Sequence, residues 1–299
     1  MKPETLSYYQ QTVQRAIELI ARRLDDALDL ESIAAEACLS PFHFHRVFRG
    51  MVGETPLELT RRLRLERAAW QLTQTNRTIT AVAFDAGYEA HEAFTRAFRA
   101  AYATSPSGFR QSKQRRFVIS APCGIHFDPD GAVGSFVPRN SGGQNMDVAI
   151  ETMPDLRVGA VRHVGPYMQI NRAFTRLGEI VNTAGVEKTA DMAMLAIYHD
   201  DPETTPPTQL RSDAGLTFAA TAQLPKGLQE HRLPAGRYAR TTHVGPYEAL
   251  GDVWARFMGE WLPASSERIR NGPSYEIYRN TPENAQPHEL RTDLYIPLE

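Results

Sequence analysis

Residues 44–49 read Phe44-His45-Arg46-Val47-Phe48-Arg49. The same arrangement returns 50 positions later as Phe94-Thr95-Arg96-Ala97-Phe98-Arg99. A segment rich in small residues precedes each copy, at 33–37 and at 82–86. Small residues make a slim helix that a second helix can cross closely, which is what a helix-turn-helix requires. One such pair could equally be a plain helical hairpin, but two aligned copies favour a double helix-turn-helix, over 31–52 and 80–102.

The second helix of each unit is predicted to have one apolar face and one polar face. In the first unit, Ser40 is the expected N-cap and Pro41 suits the first helical position. In the second unit, Gly87 falls at the turn. The inward positions are Phe44, Val47, Phe48, Phe94, Ala97, Phe98 and Tyr102. The positions that can face outward include His43, Arg46, Arg49, Glu92, Arg96 and Arg99. Arginine pairs bidentately with guanine or phosphate, so the pattern predicts binding to DNA.

The bulk composition is compatible with that prediction and excludes several other classes. The chain has 299 residues, enough for two ordinary domains. Residues 1–116 carry 17 Lys and Arg against 13 Asp and Glu, whereas residues 117–299 carry 16 against 22, so only the front part suits a polyanion. Two cysteines imply no disulfide framework. A polar N-terminus and the lack of a long apolar run predict a cytoplasmic protein without membrane contact.

A second repeat marks a separate C-terminal domain. Residues 120–145 are rich in Pro and Gly, and we expect them to end in a flexible linker. Beyond them, short β-like runs alternate with helical ones. Residues 163–167 read His163-Val164-Gly165-Pro166-Tyr167, and the same five residues recur at 243–247, 80 positions later. Because His163 and His243 occupy equivalent positions in the two copies, we interpret them as structural residues of a strand-to-loop turn rather than a catalytic or metal pair.

The first repeat resembles the DNA-binding domain of the AraC/XylS family. The resemblance extends over 8–112 and rests on residues 33–35, 40, 44–48, 53–56, 61–69, 79–88, 94–98 and 105–110. It implies that the second helix of each unit reads a DNA groove, through Phe42, His45, Arg46, His91, Glu92 and Arg96. Glu92 departs from the neutral amides common in that family, and a carboxylate there could accept a hydrogen bond from cytosine N4.

Residues 146–299 resemble the GyrI-like effector-binding domain. The two five-residue copies carry the resemblance, together with segments 197–203, 272–278 and 292–298. It implies a pseudo-two-fold α+β domain with a ligand cleft between its halves, and a glutamate at the floor of an aromatic pocket for cationic or amphipathic compounds. The DNA module comes first, which is the domain order of the Rob regulator.

Glu276 is the residue that matches the family's glutamate. In a strand, Glu276 and Tyr278 point to one face, and Tyr275 and Ile277 to the other. A buried carboxylate favours a compensating cation, which aromatic faces also attract. The candidate ligand-binding residues are Glu276, Tyr167, Tyr247, Trp254, Phe218 and Tyr278. Alternatively, Glu276 pairs with Arg279 or Arg291, or faces water.

The sequence thus predicts an all-helical double helix-turn-helix domain at 1–116, a linker at 117–145, and a pseudo-two-fold α+β GyrI-like domain at 146–299. The expected partners are double-stranded DNA, a small-molecule effector and RNA polymerase. No cofactor, metal site or catalytic residue is expected, since the sequence has no nucleophile motif, phosphate loop or cluster of metal ligands. Two alternatives stay open: a small-molecule hydrolase, and a sensor of a partner protein with a vestigial cleft.

Overall fold

A computed structural model describes residues 3–26, 29–112, 117–139, 146–187, 189, 192–200 and 205–299, although the side chains of residues 3–7 and Phe42 lie outside this description. The chain divides into two compact units. We call Ser7–Ser40 with Val47–Asn140 the helical unit, and Met1–Leu6, Pro41–Arg46 and Ser141–Glu299 the sheet unit. The division differs from the predicted boundaries in three places: the predicted linker belongs to the helical unit up to residue 140, and both Met1–Leu6 and Pro41–Arg46 belong to the sheet unit. None of the helices in the described ranges is long and apolar enough to cross a membrane.

The described residues up to 112 form seven helices: α1 (Pro3–Arg22), α2 (Leu30–Glu36), α3 (Pro41–Val52), α4 (Pro56–Gln74), α5 (Ile79–Asp85), α6 (His91–Tyr102) and α7 (Pro106–Gln111). Side-chain caps fix where several of them begin. The Thr55 hydroxyl accepts from the Glu58 N–H while the Glu58 carboxylate accepts from the Thr55 N–H, a reciprocal pair that starts α4. Thr78 caps α5 in the same position. These caps satisfy N–H groups that a helix start leaves unpaired.

Both predicted helix-turn-helix units are present, as α2–α3 and α5–α6. The predicted inward residues Phe44, Val47 and Phe48 are fully buried, as are Phe94 and Phe98. The two turns share a left-handed residue at equivalent positions. Gly87 has φ +80°, whereas its counterpart 49 positions earlier is Cys38, with φ 56°. The second turn favours glycine because residues with a Cβ rarely adopt this positive φ.

The segment that follows α7 is bonded to the helical unit rather than flexible. Residues 117–139, here called the strap, contain no helix or strand. The strap is held by Glu66 of α4, which is fully buried. The Glu66 carboxylate accepts hydrogen bonds from the backbone N–H groups of Ile119 and Phe127, both at 2.8 Å. It also contacts Arg62 Nη1 at 3.2 Å and His126 Nδ1 at 3.0 Å. The predicted linker is therefore bonded to the helical unit as far as residue 127, and residues 140–145, at its expected flexible end, lie outside the description.

The sheet unit contains eight described strands in one antiparallel sheet: β1 (Ala149–Met153), β2 (Leu156–Val164), β3 (Met194–Tyr198), β4 (Arg211–Phe218), β5 (Gln229–Leu233), β6 (Gly236–Val244), β7 (Tyr275–Tyr278) and β8 (Arg291–Pro297). Their order is β1-β6-β8-β7-β3-β4-β2-β5. Helix α8 (Asn171–Thr183) packs on β2 and β4, and α9 (Leu250–Arg256) continues into a π-helical turn, Phe257–Trp261.

The strand order confirms the predicted pseudo-two-fold symmetry. Strands β1 to β4 correspond to β5 to β8, and exchanging the two sets reproduces the same order. The axis passes between β3 and β7, which pair antiparallel at the centre of the sheet. Each half also contributes a strand to the other, since β1 pairs with β6 and β5 with β2. The two halves therefore cannot separate without breaking ladder hydrogen bonds at three places.

We predict that Glu66→Gln destabilises the helical unit by about 2 kcal/mol, because an amide has one acceptor oxygen where the carboxylate offers two to the strap N–H groups of Ile119 and Phe127. Urea unfolding followed by tryptophan fluorescence measures this loss, and Trp70, whose ring lies 6.1 Å from that of Phe127, reports on the helical unit. Glu18→Gln is the control: Glu18 forms an exposed ion pair with Arg22, worth about 0–1 kcal/mol. Equal stability of both variants would show that Glu66 does not hold the strap.

Candidate effector site and nucleic-acid interface

Glu276 lies in the middle of β7 and is buried, with 2% of its surface exposed. Strand pairing sets it opposite Ala196 on β3 and Leu294 on β8. Paired residues of antiparallel strands share a face, so the carboxylate has apolar neighbours on both sides. The predicted alternation along β7 holds: Tyr275 and Ile277 join the core cluster of the opposite face, with Tyr295 and Leu195.

Two aromatic side chains hold the Glu276 carboxylate. The Trp254 indole Nε1–H donates to Oε1 at 2.7 Å, and the Tyr278 hydroxyl donates to Oε2 at 2.9 Å. Burial raises the pKa of Glu276, although these two hydrogen bonds and the charge of Arg46 oppose the rise. The alternatives in which Glu276 faces water or pairs with Arg279 are not what the structure shows, since Arg279 Nε bonds to Asp293 at 2.6 Å.

The residues around Glu276 come in pairs related by the pseudo-two-fold axis. Tyr198 and Tyr278 join through their hydroxyls at 3.1 Å. The Tyr167 ring packs on Tyr198 with centroids 4.8 Å apart, and the Tyr247 ring packs on Tyr278 at 5.4 Å. Phe174 on α8 is the counterpart of Trp254 on α9, and its ring packs against Tyr278 at 5.6 Å. Burial and the nearby Glu276 raise the pKa of the Tyr198 and Tyr278 hydroxyls, so both stay protonated donors.

Sequence reasoning missed Tyr198 and Phe174 at this site. The signal was available, because both lie 80 positions before Tyr278 and Trp254, the offset of the repeat. Phe218 lies elsewhere: it belongs to a hydrophobic cluster with Leu177, Val181 and Leu216, where α8 covers the sheet. The structure thus brings together Glu276, Tyr278, Trp254, Tyr167 and Tyr247, and places the sixth predicted residue in the core.

Each histidine of the repeated motif bonds within its own turn. His163 Nε2 donates to the Pro166 carbonyl oxygen, and His243 Nε2 donates to that of Pro246, both at 3.1 Å. Each bond closes the turn that follows its strand. The turn brings the next glycine to φ 140° or 142°, a conformation that residues with a Cβ rarely adopt. The predicted structural role of His163 and His243 fits these contacts.

Helix α6, the second helix that the sequence predicts to contact DNA, presents its predicted contact residues to solvent. His91, Glu92, Arg96 and Arg99 are all exposed. Their opposite face packs Phe94 and Phe98 into a core cluster with Leu72 and Phe109. The helix therefore has the polar outer face that contact with a DNA groove requires.

Helix α3, the first helix predicted to contact DNA, differs from its prediction. The Phe42 side chain lies outside the described residues. Arg49 is exposed, but His43 and His45 are 2% and 1% exposed, so the expectation that these two face solvent does not hold here. His43 Nε2 lies 3.0 Å from Ser274 Oγ within the sheet unit. Burial, and secondarily the charge of Arg46, lowers the pKa of His43 to about 3, so this histidine is neutral.

Comparisons with known proteins match both parts of the chain. Residues 146–299 match the family described as the GyrI-like small molecule binding domain, and residues 33–112 match a helix-turn-helix domain of the AraC type. The chain is 28% identical over 156 residues to the probable transcriptional regulator YgiV of Escherichia coli, covering 51% of this chain and 96% of YgiV. It is 32% identical over 136 residues to a DNA gyrase inhibitor of Yersinia enterocolitica, covering 44% and 84%. It is 34% identical over 102 residues to the regulatory protein SoxS of Salmonella typhimurium, covering 34% and 95%.

The raised pKa of Glu276 predicts a pH-dependent stability difference. Between the ordinary value of 4.5 and its raised value, the folded chain binds a proton more readily than the unfolded chain, so stability is lost as pH rises through that window. Glu276→Gln cannot ionise, and we expect it to gain stability relative to wild type over the same rise. Urea unfolding of both full-length proteins from about pH 4 to pH 7 measures the difference.

Glu179→Gln, on the exposed face of α8, is the matched control and should show no such trend. A pH-independent difference between Glu276→Gln and wild type would mean that the Glu276 carboxyl titrates at its ordinary pKa.

Proposed function

The chain belongs to the GyrI-like small molecule binding family and has an AraC-type helix-turn-helix domain before it, and on this premise we propose how the regulator works. It binds duplex DNA through α3 and α6, and senses an amphipathic cation at the site built around Glu276. One observation carries the proposal for the ligand: a buried carboxylate, with Trp254 and Tyr278 as its donors, lies among aromatic rings. Burial magnifies the attraction between this carboxylate and a cation, because the local dielectric is low.

The same geometry favours binding over hydrolysis. A hydrolytic role would need Glu276 to take a proton from water. Its two oxygens instead accept hydrogen bonds from Trp254 and Tyr278, which hold the carboxylate in place as a fixed negative charge. The aromatic rings that surround it offer faces to a cation. RNA polymerase stays a predicted partner: a chain that binds near a promoter would lie within reach of the enzyme.

We predict that Glu276→Gln selectively weakens cationic ligands. Phenylguanidinium and benzamidinium are flat cations, and phenylurea and benzamide are their neutral counterparts of nearly the same shape. Removal of a buried charge partner should cost each cation about 2 kcal/mol, roughly thirtyfold in affinity, and leave the neutral compounds unchanged. Isothermal titration of the full chain measures all four, and a parallel assay for their breakdown tests hydrolysis.

The Glu179→Gln variant serves again as the control, because it removes a carboxylate exposed to solvent. Equal losses for cations and neutral compounds would mean that Glu276 only supports the fold of the pocket. Binding of none of the four would favour a protein partner as the sensed molecule.

A second prediction concerns α6. Arg96→Ala should reduce affinity for a duplex selected by the wild-type chain by about 1–3 kcal/mol and relax specificity at one base pair, if Arg96 reads a base. Arg22→Ala removes the same charge from an exposed position on α1 and is the control. Competition binding against single-base variants of the duplex distinguishes contact of Arg96 with a base from contact with a phosphate. A uniform loss on every sequence, with a shallower salt dependence, would assign Arg96 to phosphate instead.

A further inference from the structure

The guanidinium of Arg46 lies at the Glu276 site. Arg46 Cζ is 5.3 Å from the centroid of the Trp254 ring, within the range of a cation–π contact. The indole of that tryptophan donates its N–H to Glu276 at 2.7 Å. The charge of Arg46 also opposes the rise in the pKa of Glu276, as a cation near the carboxylate must. The chain thus places a cation of its own against the ring and the carboxylate that would receive an effector.

His43 holds the same turn of α3 in position. His43 and Arg46 are three residues apart on the helix, so their side chains project from one face. His43 Nε2 meets Ser274 Oγ at 3.0 Å, and Ser274 lies two residues before Glu276. Both members of this hydrogen bond are 2% exposed. The first turn of α3 is therefore anchored beside the site through a neutral histidine, and Pro41–Arg46 forms part of the sheet unit.

The second helix-turn-helix has an arginine equivalent to Arg46, and the two differ in exposure. Arg96 occupies the equivalent position of the sequence repeat, 50 positions later. Its side chain is exposed at the surface of α6, whereas Arg46 is half-buried on Trp254. A guanidinium held over Trp254 at the Glu276 site is partly covered, so a base edge or a phosphate reaches it less readily than it reaches Arg96. In the conformation described, Arg96 is the more exposed of the two repeated arginines.

We infer that Arg46 is an internal occupant of the Glu276 site, and that an effector cation and DNA each bind better once it has left. This inference rests on the proposed function of that site. A cation that enters displaces the Arg46 guanidinium and makes it available for DNA. DNA that engages Arg46 empties the site for the effector. The two ligands therefore strengthen each other, and linkage requires the same factor in both directions.

Arg46→Gln tests the inference, because it removes the guanidinium and its charge and keeps an unbranched polar side chain. If Arg46 leaves the site about a tenth of the time, the variant should bind phenylguanidinium about tenfold more tightly than wild type, since the competitor is gone. Wild type saturated with phenylguanidinium should bind a selected duplex at least about fivefold more tightly than without it, and the variant should show no such gain. Circular dichroism and Trp fluorescence check that the variant is folded.

Arg96→Gln is the matched control. It should weaken DNA binding while its affinity for phenylguanidinium, and the gain in DNA affinity that this cation brings, stay as in wild type. Equal phenylguanidinium affinity in wild type and Arg46→Gln, or weaker binding in the variant, would overturn the inference and leave the proposed effector site intact. Failure of phenylguanidinium to bind either protein would overturn the proposed function and the inference with it.

Discussion

The two hydrogen bonds that Glu276 accepts, from Trp254 and from Tyr278, are the constraint on which the sensing end of this molecule depends. A carboxylate removed from water loses several kcal/mol of hydration, and neutral donors return only part of that. The raised pKa of Glu276 reflects the part of the hydration free energy that these two donors do not replace. A cation placed on the aromatic rings would offset it, and the chain meets part of this demand itself by holding Arg46 over Trp254.

The pseudo-two-fold sheet explains why the site lies where it does. Strands β3 and β7 meet at the axis, so equivalent residues of the two halves come together there. Tyr198 and Tyr278 are such a pair, and their hydroxyls join. The charge, in contrast, is present once, because Glu276 faces Ala196 across the axis. A duplicated framework supplies a nearly symmetric aromatic enclosure, and one residue in one half makes it a site for a cation.

The features that could be predicted from the sequence are those set by residues close together in the chain. Helix α3 begins at Pro41, the predicted first helical position, and the buried Phe94 and Phe98 follow from helical spacing alone. The placement of Glu276 and Tyr278 on one face of β7 follows from strand alternation. Such features depend on neighbours close in the chain, which is why a single sequence reveals them.

Features that depend on distant contacts were not predictable in the same way. Phe218 was assigned to the pocket on its residue type, but the register of β4 under α8 carries it into the core. The strap looked flexible in composition, yet a single buried carboxylate, Glu66, fixes two of its backbone N–H groups. The burial of His43 depends on Ser274, 231 positions away. No pattern in the sequence points to that pair.

The central claim is that Glu276 is a buried anion that takes a cation. A carbon-detected NMR titration of the Glu276 side-chain carboxyl in the full chain, without and with saturating phenylguanidinium, tests it most directly. A bound cation stabilises the ionised form, so we expect a pKa of Glu276 above its ordinary value in the free protein and a lower pKa in the complex. An ordinary pKa that phenylguanidinium leaves unchanged would show that Glu276 is not a buried anion that binds a cation.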